Sequence, residues 1–95
     1  MRLKNKDQLV ELIGDLDVNE GFDFVGHYEN NCNLTFGVRH IEIIDSPCIV
    51  FGGYGAVQLI FDLNHNMIEE IVEKILKHEG LKITDIETLE QVEAF

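Results

Sequence analysis

The chain's 95 residues include 18 acids against seven bases, a formal net charge of −11. That excess disfavours contact with a nucleic-acid backbone or an anionic membrane surface. Apolar residues make up 45%, aromatic residues 8%, and there is one Pro, so residues 1–95 are expected to fold as one domain without disulfides or metal.

Asn5 is placed to cap a helix whose third position is Gln8, a capping-box pairing. Leu9, Leu12, Ile13 and Leu16 then recur at helical spacing until Gly14 or the Asp-rich segment ends the element. From Gly21 the period changes to two. Phe22, Phe24, Gly26 and Tyr28 share one strand face, and Asp23, Val25, His27 and Glu29 the other. Asn30-Asn31 is turn chemistry, and Leu34, Phe36 and Val38 alternate along a second strand. The apolar phase then slips to Ile41 and Ile43, which predicts a bulge near Arg39-His40. Beyond Ser46-Pro47, Cys48 to Phe51 reads as a continuously apolar strand. Gly52-Gly53-Tyr54-Gly55 reads as a turn, and Val57, Leu59, Phe61 and Leu63 as a fourth strand.

Ile68, Ile71, Val72, Ile75 and Leu76 form the clearest helical stripe, with Asn66 and Glu69 as a cap pair and Gly80 as the stop. The stripe is expected to pack on Phe36, Val50, Leu59 and Phe61. Thr84 and Glu87 make another capping-box pattern before Ile86, Leu89 and Val92, so a short terminal helix is expected. The order α-β-β-β-β-α-α describes an α+β fold, a four-stranded antiparallel meander with helices packed on one face. The other face carries Val25, His27, Thr35, Gly37, Arg39, Gln58 and Ile60.

No apolar run approaches a membrane span, and MRLKNKDQ lacks the apolar centre of a signal peptide. Two cysteines are too few for a disulfide framework, so a cytoplasmic address is expected.

Asp15, Asp17, Asn19 and Asp23 fall on positions one, three, five and nine of a calcium loop. Glu20 stands where the loop needs Gly, and Gly26 where it needs the bidentate Glu, so no calcium site is expected. His27, Cys32, His40 and Cys48 lack the close ligand pairs of a zinc site. Cys48 sits in an apolar strand, and Cys32 lies in an Asn-rich turn within conceivable reach of His27 or His40. No catalytic constellation emerges. Neither enzymatic activity, a metal nor a cofactor is expected.

The distribution of charge points further. From Asp7 to Val38 there are seven acids (Asp7, Glu11, Asp15, Asp17, Glu20, Asp23, Glu29) and no Lys or Arg. On the expected terminal helix Glu87, Glu90 and Glu93 would form a row. The leading expectation is a non-enzymatic acidic module that binds a basic protein surface through Glu87, Glu90, Glu93, Asp15, Asp17, Glu20 and Asp23. Ordered carboxylates can compete for a groove that otherwise holds nucleic acid, so the partner is expected to be a nucleic-acid-binding protein, with no direct contact to nucleic acid or membrane. In size and charge alone the chain resembles phage-encoded inhibitors of host defence, anti-CRISPR proteins among them, and bacterial immunity proteins. The alternative is a small-ligand or weak metal-binding domain, an enzyme or not, working from the sheet face with His27, Arg39, His40 and Cys32. A homodimer is compatible with either reading.

Overall fold

The Gln8 backbone N–H donates to Asn5 Oδ1 at 3.1 Å and the Gln8 side chain returns to the Asn5 backbone, so α1 (Lys6–Gly14) starts where the capping box places it. The structure is a computed structural model that describes residues 1–53 and 55–93, with side chains as far as Leu89. After α1 come β1 (Glu20–His27), β2 (Asn33–Ile43), β3 (Ser46–Gly53), β4 (Ala56–Asp62), α2 (Ile68–Glu79) and β5 (Ile86–Glu93). The architecture is α+β. The antiparallel meander β1–β4 is present as expected, and both helices lie on one face of the sheet.

The last element departs from the expectation. Residues 86–93 form a strand, not a helix, and pair antiparallel with β1 to give the order β4-β3-β2-β1-β5. The spacing of Ile86, Leu89 and Val92 suits a helix, but the outer edge of β1 needs a hydrogen-bonding partner, and a segment holding the β-branched Ile86, Thr88 and Val92 supplies one. Ile86 is fully buried. Residues 1–3 in turn border β5, with Leu3 N donating to Ile86 O and Thr88 N to Met1 O, each at 2.9 Å.

Three further details differ. The β1–β2 and β2–β3 registers run unbroken through Arg39 and His40, so no bulge lies there. The apolar phase slips because Ile41, Ile43, Cys48 and Val50 share the sheet face turned away from the helices. The bulges occur instead between β3 and β4 at Gly52, and between β1 and β5. Val50 therefore does not meet α2; its neighbours Ile49 and Phe51 do that from the same strand. Finally, α2 begins at Ile68 without a side-chain cap, and Asn66 Nδ2 donates instead to Asp62 O at 2.9 Å.

The helix side of the sheet carries Phe22, Phe24, Phe36, Val38, Ile49, Phe51 and Phe61, and α2 buries Ile71, Val72, Ile75 and Leu76 in the same cluster. Gly80 stops α2 in the left-handed region (φ 67°), and Leu81 N closes the turn on Leu76 O at 3.0 Å. No helix among the described residues is long and apolar enough to cross a membrane. Ile71 is fully buried. Ile71→Ala should lower unfolding free energy by about 2–5 kcal/mol, read from denaturant melts; an unchanged midpoint would contradict this packing.

Candidate functional site: an acidic pole and the open sheet face

The topology brings six chain passages to one end of the sheet. α1 finishes there, β1 starts there, and the β2–β3 hairpin turns there. β4 ends, α2 begins and β5 ends at the same place. Asn19 N donates to His40 O at 2.6 Å and the His40 ring nitrogen Nδ1 to Leu16 O at 2.9 Å, which pins the α1–β1 loop against β2. Gly14 lies beside Ile68, so the helices are antiparallel and the first turn of α2 shares this end.

Seven carboxylates gather here: Asp15, Asp17 and Glu20 from the loop, Glu42 and Asp45 from the hairpin, Glu69 and Glu70 from α2. All are exposed except half-buried Glu20. None of them belongs to an ion pair among the described residues. Asp15 occupies the C-cap of α1, with no base in the last turn, where the helix dipole disfavours a negative charge. β2 alone spans about 37 Å at strand rise, close to the molecule's longest dimension of 42 Å, so the charge sits at one end of an elongated body. At the tip of the hairpin Ile44 is 93% exposed with a φ of 50°.

The open sheet face has different chemistry. The Arg39 side chain lies across Gly21 and Gly37, and a Cβ on Gly21 would collide with it. From there its Nη1 reaches Asp23 Oδ1 at 3.4 Å and Val38 O at 3.2 Å. Beside it a shallow depression of about 520 Å³ is lined by Gly37, Val50, Gly52 and Val57. At the other end of the face His27 Nε2 lies 2.9 Å from Glu87 Oε1, and its Nδ1 lies 2.9 Å from Asn33 Oδ1. One ring thus ties β1, β2 and β5 together.

Of the residues singled out in the sequence, Asp15, Asp17 and Glu20 meet at the acidic pole. Asp23 does not; it faces the open side and pairs with Arg39. Glu87 lies at the opposite end of the sheet, held by His27. The terminal helix expected to align Glu87, Glu90 and Glu93 is a strand, and the side chains of Glu90 and Glu93 lie outside the described residues. The segment that resembles a calcium loop runs from a helix cap into β1, and Gly26 is a strand residue opposite Leu34.

His27 and His40 do not converge either. His27 pairs with Asn33, seven positions from His40 along β2, a separation of about 24 Å, and the two rings lie on opposite faces. Cys32 is exposed in the β1–β2 connection, and Cys48 is buried with its Sγ 3.6 Å from Ser46 O. Among the described residues no group of three His, Cys, Asp or Glu side chains is arranged to hold a metal ion. Glu42, Asp45, Glu69 and Glu70 were not legible as site residues, because only the folded topology brings them to the loop acids.

The His27 hydrogen bond, reinforced by the N-terminal ammonium and Arg2, holds the Glu87 carboxyl below its ordinary value of 4.5. A depressed folded-state pKa contributes stability above about pH 4.5 that is lost as pH falls through the folded value. Glu87→Gln should therefore melt lower than the native chain near neutrality, and the gap should close on acidification. A gap that stays constant across an acid melting series would contradict the assignment.

Compared with protein-family models, with curated proteins and with solved structures, the chain matches none.

Proposed function

We propose that the chain is a non-enzymatic binding domain whose acidic pole docks on a basic surface of another protein, a nucleic-acid-binding protein being the class of partner that displays such a surface. The observation that supports this is the convergence at the end of the sheet of seven carboxylates that have no ion-pair partner among the described residues, drawn from segments 15–20, 42–45 and 69–70. Folding gains only locally from the arrangement: Glu69 and Glu70 lie in the first turn of α2, where the helix dipole favours acids, and Glu20 Oε1 accepts from Asp17 N at 2.7 Å. The charges repel one another, and Asp15 sits at the wrong end of a helix dipole. What the arrangement provides is a concentrated negative field on rigid element ends, which steers and accelerates encounter with a cationic target. The small-ligand reading has less support, since its two histidines stand at opposite ends of the β1–β2 hairpin and on opposite faces.

The test uses exposed residues outside the core. Basic proteins are captured from a cell extract with the immobilised native chain at low and high salt. The captured protein's association is then timed against the triple variant Asp15→Lys, Asp17→Lys, Glu42→Lys. The on-rate should fall roughly tenfold or more with the triple change and with added salt, while the melting temperature holds. A captured partner whose on-rate ignores both would overturn the proposal, as would failure to capture any basic protein at low salt.

A further inference from the structure

We infer that His40 is a pH-sensitive pin for the acidic pole: the α1–β1 loop with Asp15, Asp17 and Glu20 is seated on β2 while the ring is neutral, and shifts when the ring gains a proton. The consequence for binding rests on the docking function proposed above; the loop movement does not. The Nδ1 atom of His40 lies 2.9 Å from Leu16 O, and a carbonyl can only accept, so the proton of the neutral ring sits on Nδ1. That leaves Nε2 as a bare lone pair. It is closed off from solvent and has no hydrogen-bond partner among the described residues. The backbone oxygen of the same residue accepts from Asn19 N at 2.6 Å. One residue thus holds the loop at Leu16 through its ring and at Asn19 through its backbone.

Protonation places an N–H and a share of positive charge at Nε2, where no oxygen receives it. Either the ring leaves its seat, or the loop opens until an acceptor reaches Nε2. Both movements break the present seating. The charged groups around the ring are the acids of the pole: the three on the loop, Glu42 two residues along β2 on the same side of the sheet, Asp45 in the hairpin, and Glu69 and Glu70 on α2. α1 turns the apolar Leu9 and Ile13 inward, and on β3 the residue opposite His40 is Ile49. Arg39 belongs to the other sheet face, and Asp62 and His65 lie 3.1 Å apart at the end of β4. The acids favour a charged ring, but none of them reaches Nε2. Glu20 Oε1 accepts from Asp17 N instead, and the other six are exposed, where solvent screens them. Their attraction therefore draws a protonated ring out toward the pole surface and does not hold it in its seat. The seated loop belongs to the neutral ring, so it is present above the range in which imidazole ordinarily titrates, about pH 6.5, and is lost below it.

Hydrogen exchange of the Asn19 amide, followed by NMR and corrected for the intrinsic pH dependence of exchange, reads the seating of the loop. In the native chain its protection should fall roughly tenfold or more between about pH 7.5 and about pH 5.5, in step with the His40 ring signals, while amides of the β2–β3 ladder keep theirs. His40→Asn keeps an N–H near the Nδ1 position without a titrating group, so its loop should stay seated at both pH values. Asn19 protection that is constant in the native chain, or that falls equally in His40→Asn, would refute the pin. Should that variant fail to fold, a native His40 ring that titrates with no change at Asn19 refutes it alone. A decalysine peptide serves as the basic probe for binding. Its affinity for the native chain should drop roughly fivefold or more over the same pH interval and hold in His40→Asn. Loop movement with unchanged peptide affinity would refute control of the pole by His40, whereas loop movement with no peptide binding at either pH would count against the docking function and leave the pin standing.

Discussion

Three phenylalanine rings at the centre of the sheet set the geometry of everything around them. Phe24, Phe36 and Phe51, one each from β1, β2 and β3, lie with centroids 5.3–6.1 Å apart and are essentially fully buried. Neighbouring strands provide the room. A side chain at Gly53 would press into the Phe36 ring, and one at Gly26 would meet Leu81, Tyr28 and Phe36. Because the rings occupy the helix side, the strand residues between them, Asp23, Val25, Gly37, Arg39 and Val50, are committed to the other side. The open face is thus a consequence of the core. A one-residue slip in any of these strands would exchange the two sets.

The same commitment organises the charge. The helices must cover the rings, and with α1 and α2 antiparallel their adjoining ends meet the hairpin of β2 and β3 at one end of the sheet. Acids that are unremarkable in isolation become neighbours by topology. The far end is mixed by comparison: Tyr28 donates to Glu79 at 2.7 Å, His78 lies 3.4 Å from Glu79, and Arg2 donates to Thr84 O at 2.9 Å. The elongated body therefore carries a pole of seven acids without ion-pair partners among the described residues, opposite an end where Glu79 and Arg2 are held by hydrogen bonds. Such asymmetry orients the molecule during approach to a charged target before any contact forms.

What could be read from the sequence follows from how local each signal is. The Asn5–Gln8 box and the α2 stripe ending at Gly80 involve residues three or four apart, and both were legible. The terminal segment was not, because Thr84, Ile86, Glu87 and Leu89 satisfy a helical spacing while the decisive contact is the edge of β1, some sixty residues away. The phase slip at Ile41 is visible in the sequence, but its cause is not. An apolar residue on the second face of a sheet and a bulge leave the same mark on the pattern, and only the register distinguishes them. For the site, the loop acids stood out as a run without bases. The contributions of Glu42, Asp45, Glu69 and Glu70 depended on long-range pairing that no window of sequence contains.

The position of β5 also dictates an order of events. Each pairing from β1 to β4 joins neighbours in the chain, so the meander can form through short loop closures, whereas Gly26 meets Ile86 only after a closure of about sixty residues. Until that closure the inner strand of the finished sheet is an outer one. The unpaired backbone of Phe22-Asp23-Phe24-Val25, with two large aromatic side chains, is then open to whatever strand arrives first. The last strand therefore covers an edge that would otherwise stay open to mispairing.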